Sequence, residues 1–188
     1  MNLMLVNGPA VEPVTLDDMK LYLRLDGDAE DALVTTMIRA GRMTVEAATN
    51  MALLDQIWRV RLDAWPATGF VVPAVGPLNR IEAVRLVSRT GEATALDVTA
   101  FRVDAGLGTI VIPAPPPPPL PDGHIEIDVG VGHGAAAADV PEPLRLAVRA
   151  MVACWFDNRG ETLTPRGAPL LPDVVRALLV PFRPMRLV

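Results

Sequence analysis

The sequence is short of the residue types that most often do chemistry. Its 188 residues hold one cysteine, Cys154, and two histidines, His124 and His133. A single cysteine excludes an intrachain disulfide and any multi-cysteine zinc site. No uncharged apolar stretch approaches the ~20 residues a membrane-spanning helix needs. Residues 1–14 lack the basic start and long apolar run of a signal peptide. A soluble protein made in the cytoplasm is expected. Lysine is scarce as well, with Lys20 alone against sixteen arginines, and the net charge is −5. That acidity argues against tight, phosphate-driven binding of nucleic acid.

What is present is enough apolar residue for a core. Hydrophobic types make up 51% of the chain, and a globule of this size buries roughly 70% of the surface its unfolded chain exposes. Charge is unevenly placed. Residues 1–35 carry seven acids against Lys20 and Arg24, whereas residues 162–188 carry four arginines against Asp173. An acidic start and a basic end permit head-to-tail attraction between copies; two ordinary solvated faces are the plainer reading.

Helical periodicity appears at both ends. Thr15 is placed to cap a helix, with Asp18 three residues on and Leu16, Met19 and Leu23 along one face. Asp26-Gly27-Asp28 breaks it, and Asp28 is placed to cap a second helix over about 29–49. That helix carries Leu33, Val34, Met37, Ile38, Gly41, Val45 and Ala48 in one stripe, with Arg42 and Glu46 on its wet side. From Leu53 the period changes to two. Trp58, Val60 and Leu62 face one side of a strand, and Arg59 and Arg61 the other. Further strands are expected at 70–72, 80–88, 101–104, 109–112 and 124–129, separated by glycine and proline turns. Without crossover helices this β region must be mostly antiparallel.

Pro115 to Pro119 cannot lie inside a sheet; they read as a stiff loop between strands rather than a ligand for an aromatic groove. Residues 130–138 read as a flexible small-residue link. The last long helix runs from Leu144 to about Asn158, ended by Gly160, with Leu144, Ala147, Val148, Met151, Val152 and Trp155 buried. A proline-broken loop over 162–172 and a short helix over 173–179, capped by Asp173, follow. The prolines at 181 and 184 keep residues 180–188 out of regular helix. With Val180, Phe182, Met185, Leu187 and Val188 interspersed with Arg183 and Arg186, this end is a sticky extended strip in need of a partner surface. The fold class is α+β: an N-terminal amphipathic helix pair and a C-terminal long helix packed together, a small antiparallel β region between them, and an extended tail. The expected organisation is one domain over 1–179, with helices at 15–50 and 143–159 and a β-rich insertion at about 53–130, followed by the tail 180–188.

No catalytic constellation emerges. Neither histidine stands at metal-ligand or nucleophile spacing with another residue. Cys154 lies beside an apolar stripe and reads as a buried, inert thiol. Asp26, Asp28, Glu30 and Asp31 lack the twelve-residue spacing of a calcium loop and read as helix-capping acids. Gly130-Val131-Gly132-His133-Gly134 lacks the Lys and the Ser or Thr of a phosphate loop. No enzyme, cofactor or metal site is expected.

Two segments carry a family resemblance. One runs from Val14-Thr15-Leu16-Asp17-Asp18-Met19-Lys20-Leu21-Tyr22-Leu23-Arg24-Leu25 through the 31–50 helix into Leu54-Asp55-Gln56-Ile57-Trp58, Leu62 and Trp65-Pro66. The other is the helix from Pro143 to Arg159, with Met151-Val152-Ala153-Cys154-Trp155-Phe156 at its centre. In this order, around a strand-rich middle, they resemble the head–tail connector (adaptor) proteins of the HK97 connector type, found in tailed phages, prophages and gene transfer agents. The likeness covers roughly residues 13–160 and is one of pattern rather than of a sharp motif. It implies a structural ring, commonly of twelve copies, between the capsid portal and stopper or tail-terminator proteins, with DNA passing through its lumen without sequence-specific binding, in a virion or phage-like particle and away from membranes. On that reading Val180, Phe182, Arg183, Met185, Arg186, Leu187 and Val188 form the portal contact. A second expectation places Asp17, Asp18, Asp26, Asp28, Glu30 and Asp31 along the lumen, where like charge keeps DNA from sticking. The alternatives are another head- or tail-completion (stopper) protein, a small hydrolase, or an interaction module using the proline run.

Overall fold

Thr15 starts the first helix as its chemistry dictates: its hydroxyl accepts the Asp18 backbone N–H at 3.1 Å, closing one of the free N–H groups of the first turn. In the computed structural model, which describes residues 1–158 and 171–183, helix α1 spans Leu16–Leu23. It ends where Arg24 turns left-handed (φ 56°) and its N–H reaches back to the carbonyls of Leu21 and Lys20. Helix α2 spans Asp31–Thr49 and ends on Asn50, also left-handed at φ 54°; asparagine tolerates that conformation well. Its start differs from expectation. Glu30, not Asp28, holds the N-cap position, without a side-chain cap bond. The Asp28 carbonyl instead accepts the Asp31 N–H at 3.1 Å, so a tight turn leads into the helix.

Helix α3 spans Glu142–Asp157 and α4 spans Asp173–Leu179, which passes directly into a 3-10 turn over Val180–Phe182. Pro172 occupies the N-cap position of α4, one residue before the expected Asp173. These helices form one compact unit, residues 11–54 together with residues from 134 onward. Its core joins Val34, Ile38 and Val45 of α2 to Leu144, Val148, Met151 and Val152 of α3, with Met19, Val175 and Leu179 closing it from α1 and α4. Gly41 sets the approach of α2 to α3. A Cβ there would meet methyl groups of Val148 and Val152 at 3.5 Å, ordinary contact with nothing to spare.

The β unit is built from residues 1–10 and 55–133. Its larger sheet has the order β1-β2-β8-β4-β5, antiparallel throughout: β1 is Asn2–Asn7, β2 Gln56–Leu62, β4 Leu78–Val87, β5 Ala93–Leu96 and β8 His124–Val131. A three-stranded sheet of β3 (Phe70–Val71), β7 (Thr109–Val111) and β6 (Arg102–Asp104) completes it. The alternation read from the sequence fixes the faces. Val60, Ile127 and Val84 align across three strands and are fully buried, as are Ile125 and Val129. Two strands, β1 and β5, were not expected. Residues 130 and 131 complete β8 instead of opening a flexible link, because the Val131 side chain is buried and the strand pairs on both edges.

The proline run forms the connection between β7 and β8. It is tied down by Trp65, whose indole N–H donates to the Pro117 carbonyl at 2.7 Å. Trp65 also lies against Phe101, ring centroids 5.7 Å apart.

Candidate assembly interface

The acids singled out by the sequence gather around the start of α1 and the α1–α2 turn. Asp17 and Asp18 occupy the first turn of α1, where the helix dipole favours negative charge. Asp31 is committed within the fold: its carboxylate receives Lys20 Nζ at 2.7 Å, and this hydrogen bond raises the lysine's pKa. Asp26 and Asp28 are exposed in the turn, and Glu30 stands at the helix start.

Beside these acids lies exposed apolar surface of the helical unit. Leu21 and Tyr22 fall off the Leu16–Met19–Leu23 stripe and point outward, Leu21 with 81% of its surface exposed. Together with Asp18 and Arg149 they line a notch of about 230 Å³. On α2, Leu33 was expected in the buried stripe but is exposed, and Met43 is 57% exposed. Val174 and Val180 are exposed on α4 and the turn after it.

Of the predicted portal-contact residues, Val180, Phe182 and Arg183 are described, whereas Met185, Arg186, Leu187 and Val188 lie outside the described residues, as do Gly160 and residues 162–170. Val180 is exposed; Phe182 packs in part against the helical core. The chain is not extended here, since residues 180–182 complete a 3-10 turn. Tight α4 packing through Val175 and Leu179 carries the helical bend one turn past the helix end.

Two charged networks complete themselves only in the fold. Arg42, expected on the wet side of α2, is 7% exposed. Its Nε donates to Glu12 at 2.7 Å and its Nη1 to Glu46 at 2.7 Å, while Glu46 also accepts the Leu53 backbone N–H. The pair one turn apart was legible, but Glu12, which closes over it, lies 30 residues away. In the β unit Asp128 is 5% exposed at the middle of the central strand. It takes Arg59 in a two-pronged contact at 2.6 and 2.9 Å and Arg85 at 2.7 Å. Burial opposes its charge, but the two arginines outweigh burial and hold the carboxyl below the usual carboxylate range. Arg59 also approaches Glu126 at 3.2 Å.

The remaining chemistry-bearing residues are scattered. His124 contacts Glu126 at 3.2 Å at the start of β8. His133 has a buried Nε2 without a partner, and burial lowers its pKa. Cys154 is half-buried, more open than expected, because it sits at the margin of the α3 stripe. Among the described residues no group of His, Cys, Asp and Glu is arranged to hold a metal, and no helix is long and apolar enough to cross a membrane.

No protein-family model matches the chain, and no curated protein matches it significantly. Solved structures do match, over its whole length. A chain from the neck of an empty gene transfer agent (GTA) particle, computed with C6 symmetry, superposes with a TM-score of 0.84 at 25% identity. A chain from the virion of a native gene transfer agent particle gives 0.81 at 26%, and one from the neck of a native GTA particle computed with C12 symmetry gives 0.77 at 26%. Each comparison covers 100% of this chain and 98% of the other. Over its described residues, this α+β chain has the fold of chains from the neck of gene transfer agent particles.

Proposed function

We propose that this chain is a structural neck protein of a phage-like particle, and within the neck a head–tail adaptor. Copies of it form a ring, twelve in number, that joins the capsid portal to stopper or tail-terminator proteins and lets DNA pass through its lumen. The observation that carries this reading is the full-length likeness to neck chains, with nearly complete coverage on both sides. Apolar side chains left outside the core, Leu21, Met43 and Val180 among them, supply surface for neighbours to cover.

The portal contact is proposed for residues 180–188. Phe182 is half-committed to the helical core, so the contact falls to Val180, Arg183 and the residues beyond, Met185, Arg186, Leu187 and Val188. Burying the three apolar side chains beyond Arg183 at ~1.5–3 kcal/mol each gives a gross gain of roughly 5–9 kcal/mol per subunit before ordering costs. Repetition around a ring multiplies the effect, and the arginines pair with portal carboxylates. The acids Asp17, Asp18, Asp26, Asp28 and Glu30 are proposed to face the lumen, repelling the passing phosphates.

A form ending at Arg183 keeps the packed turn and removes only the residues after it. Mixed with assembled portal rings, the full chain is expected to dock as a ring visible by electron microscopy, and the shortened form to stay free. Docking that survives the truncation refutes the tail contact. Complete, DNA-delivering particles from cells lacking the chain refute the adaptor role itself.

A further inference from the structure

A closed ring repeats a head-to-tail contact, so each copy must present two different, complementary faces. The edges of the five-stranded sheet, β1 and β5, are one such pair among the described residues, and the usual strand twist disfavours them. Adding β1 of one copy to β5 of the next spans five strand steps of about 20–25° each, so equivalent strands would differ by roughly 100–125°. Neighbours in the sixfold and twelvefold symmetries of the similar necks are related by turns of only about 60° and 30°. No strand direction can change by more than the turn that relates the copies.

The helical unit offers another pair. On α1, the exposed Leu21 and Tyr22 form an apolar crest one turn beyond Asp17 and Asp18; Asp17 acts on Lys20 through space, and Asp18 shares the notch with Arg149. On α2, the side away from the core presents Leu33, Thr36, Ala40, Met43, Ala47 and Asn50. These recur at alternating steps of three and four, the seam period of one helix lying on another. An exposed helix face ordinarily carries several charges. This one carries Arg39 alone, 70% exposed, with its nearest carboxylate, Glu12, at 3.8 Å and already engaged by Arg42. One face is a large apolar knob with two acids, beside an Arg149 already engaged by Glu142; the other is a shallow seam whose one charge is Arg39.

We infer that the occupant of the α2 seam is α1 of a second copy of this chain. Leu21 and Tyr22 seat among Thr36, Ala40 and Met43, and Asp17 and Asp18 face Arg39. The inference rests on the ring reading and specifies its contact. It also sets Asp17 and Asp18 between subunits, leaving Asp26, Asp28 and Glu30 for the lumen.

The test uses full-length chain with Cys154→Ser, assembled into particles. Leu21→Cys combined with Met43→Cys is expected to give, on mild oxidation, a ladder of disulfide-linked multimers, and either cysteine alone none. Arg39→Asp should cut the ladder yield at least tenfold, and adding Asp17→Arg and Asp18→Arg should restore it. Circular dichroism of each variant checks that the helices persist. Rings seen in the neck by electron microscopy without a ladder, or with dimers only, overturn this contact and leave the ring reading standing. Necks without a ring of this chain overturn the ring reading, and the contact falls with it. Failure of the charge reversal to rescue overturns the assigned pairing.

Discussion

Replacing Asp128 with asparagine probes the strongest polar feature of the β unit. The substitution keeps the volume and removes the charge that two arginines share. Arg59 lies directly across from Asp128 in the β2–β8 register, and Arg85 reaches it from β4, so the carboxylate ties three central strands together. A hydrogen bond to a charged group contributes ~1.5–3 kcal/mol, so two such partners set a gross ceiling of roughly 3–6 kcal/mol. The net loss must be smaller. The arginine side chains are 25% and 29% exposed and recover water, and Arg59 keeps Glu126 at 3.2 Å. An asparagine oxygen also still accepts one bond. The expected loss is about 2–3 kcal/mol at pH 7. Its pH dependence follows from the lowered pKa. In the unfolded chain Asp128 protonates near the ordinary aspartate value of 3.8, and in the folded chain only at lower pH. Its stabilisation is therefore fully present above about pH 5 and fades as pH falls below about 4 toward the folded pKa. Urea unfolding followed by tryptophan fluorescence in a Trp155→Phe background reports on this unit, since the remaining Trp58 and Trp65 both belong to it. The gap between parent and variant should be constant from pH 5 to 8 and shrink at pH 3. A loss below about 0.5 kcal/mol at pH 7, or one that persists undiminished at pH 3, refutes the reasoning.

Gly41 gives a paired prediction at the α2–α3 contact. Gly41→Ala should be neutral or stabilise by up to about 1 kcal/mol, because alanine is the better helix former and its methyl meets only ordinary contacts at 3.5 Å. Gly41→Leu should destabilise by about 1–3 kcal/mol through overpacking against Val148 and Val152; thermal unfolding separates the two, and equal behaviour would show that this approach is not tight. Replacing Pro115 to Pro119 with a Gly/Ser loop should leave ring assembly intact, because Trp65 bonds a backbone carbonyl that any residue supplies. Lost partner binding in a pull-down with particle proteins would instead favour the proline run as an interaction element.

The pattern of polar and apolar residues fixed α1, α2 and α3 to within a few residues, because each buries one face against a single hydrophobic core and the 3.6-residue period is written locally. It also fixed the faces of β2, where Trp58, Val60 and Leu62 turn one way and Arg59 and Arg61 the other. Strand β1 escaped notice because Leu3 to Val6 are all apolar, with no alternation, and become a strand only by pairing with β2 more than fifty residues later. Strand β5, Ala-Thr-Ala-Leu, has little strand preference of its own and exists because the turn after β4 folds it back into register. Leu21 could have been read as exposed from its place off the α1 stripe. The burial of Arg42 and Asp128 could not. A charged side chain is buried only where its partners converge, and Glu12, Arg59 and Arg85 come from distant points in the chain. The sequence by itself thus determined the helices and those strands that carry their own period, and the inward face of most of them. The tertiary structure alone decided which edges pair, which charges are buried, and which apolar side chains are left over for a neighbour to cover, because each of those depends on what the rest of the chain has already brought alongside.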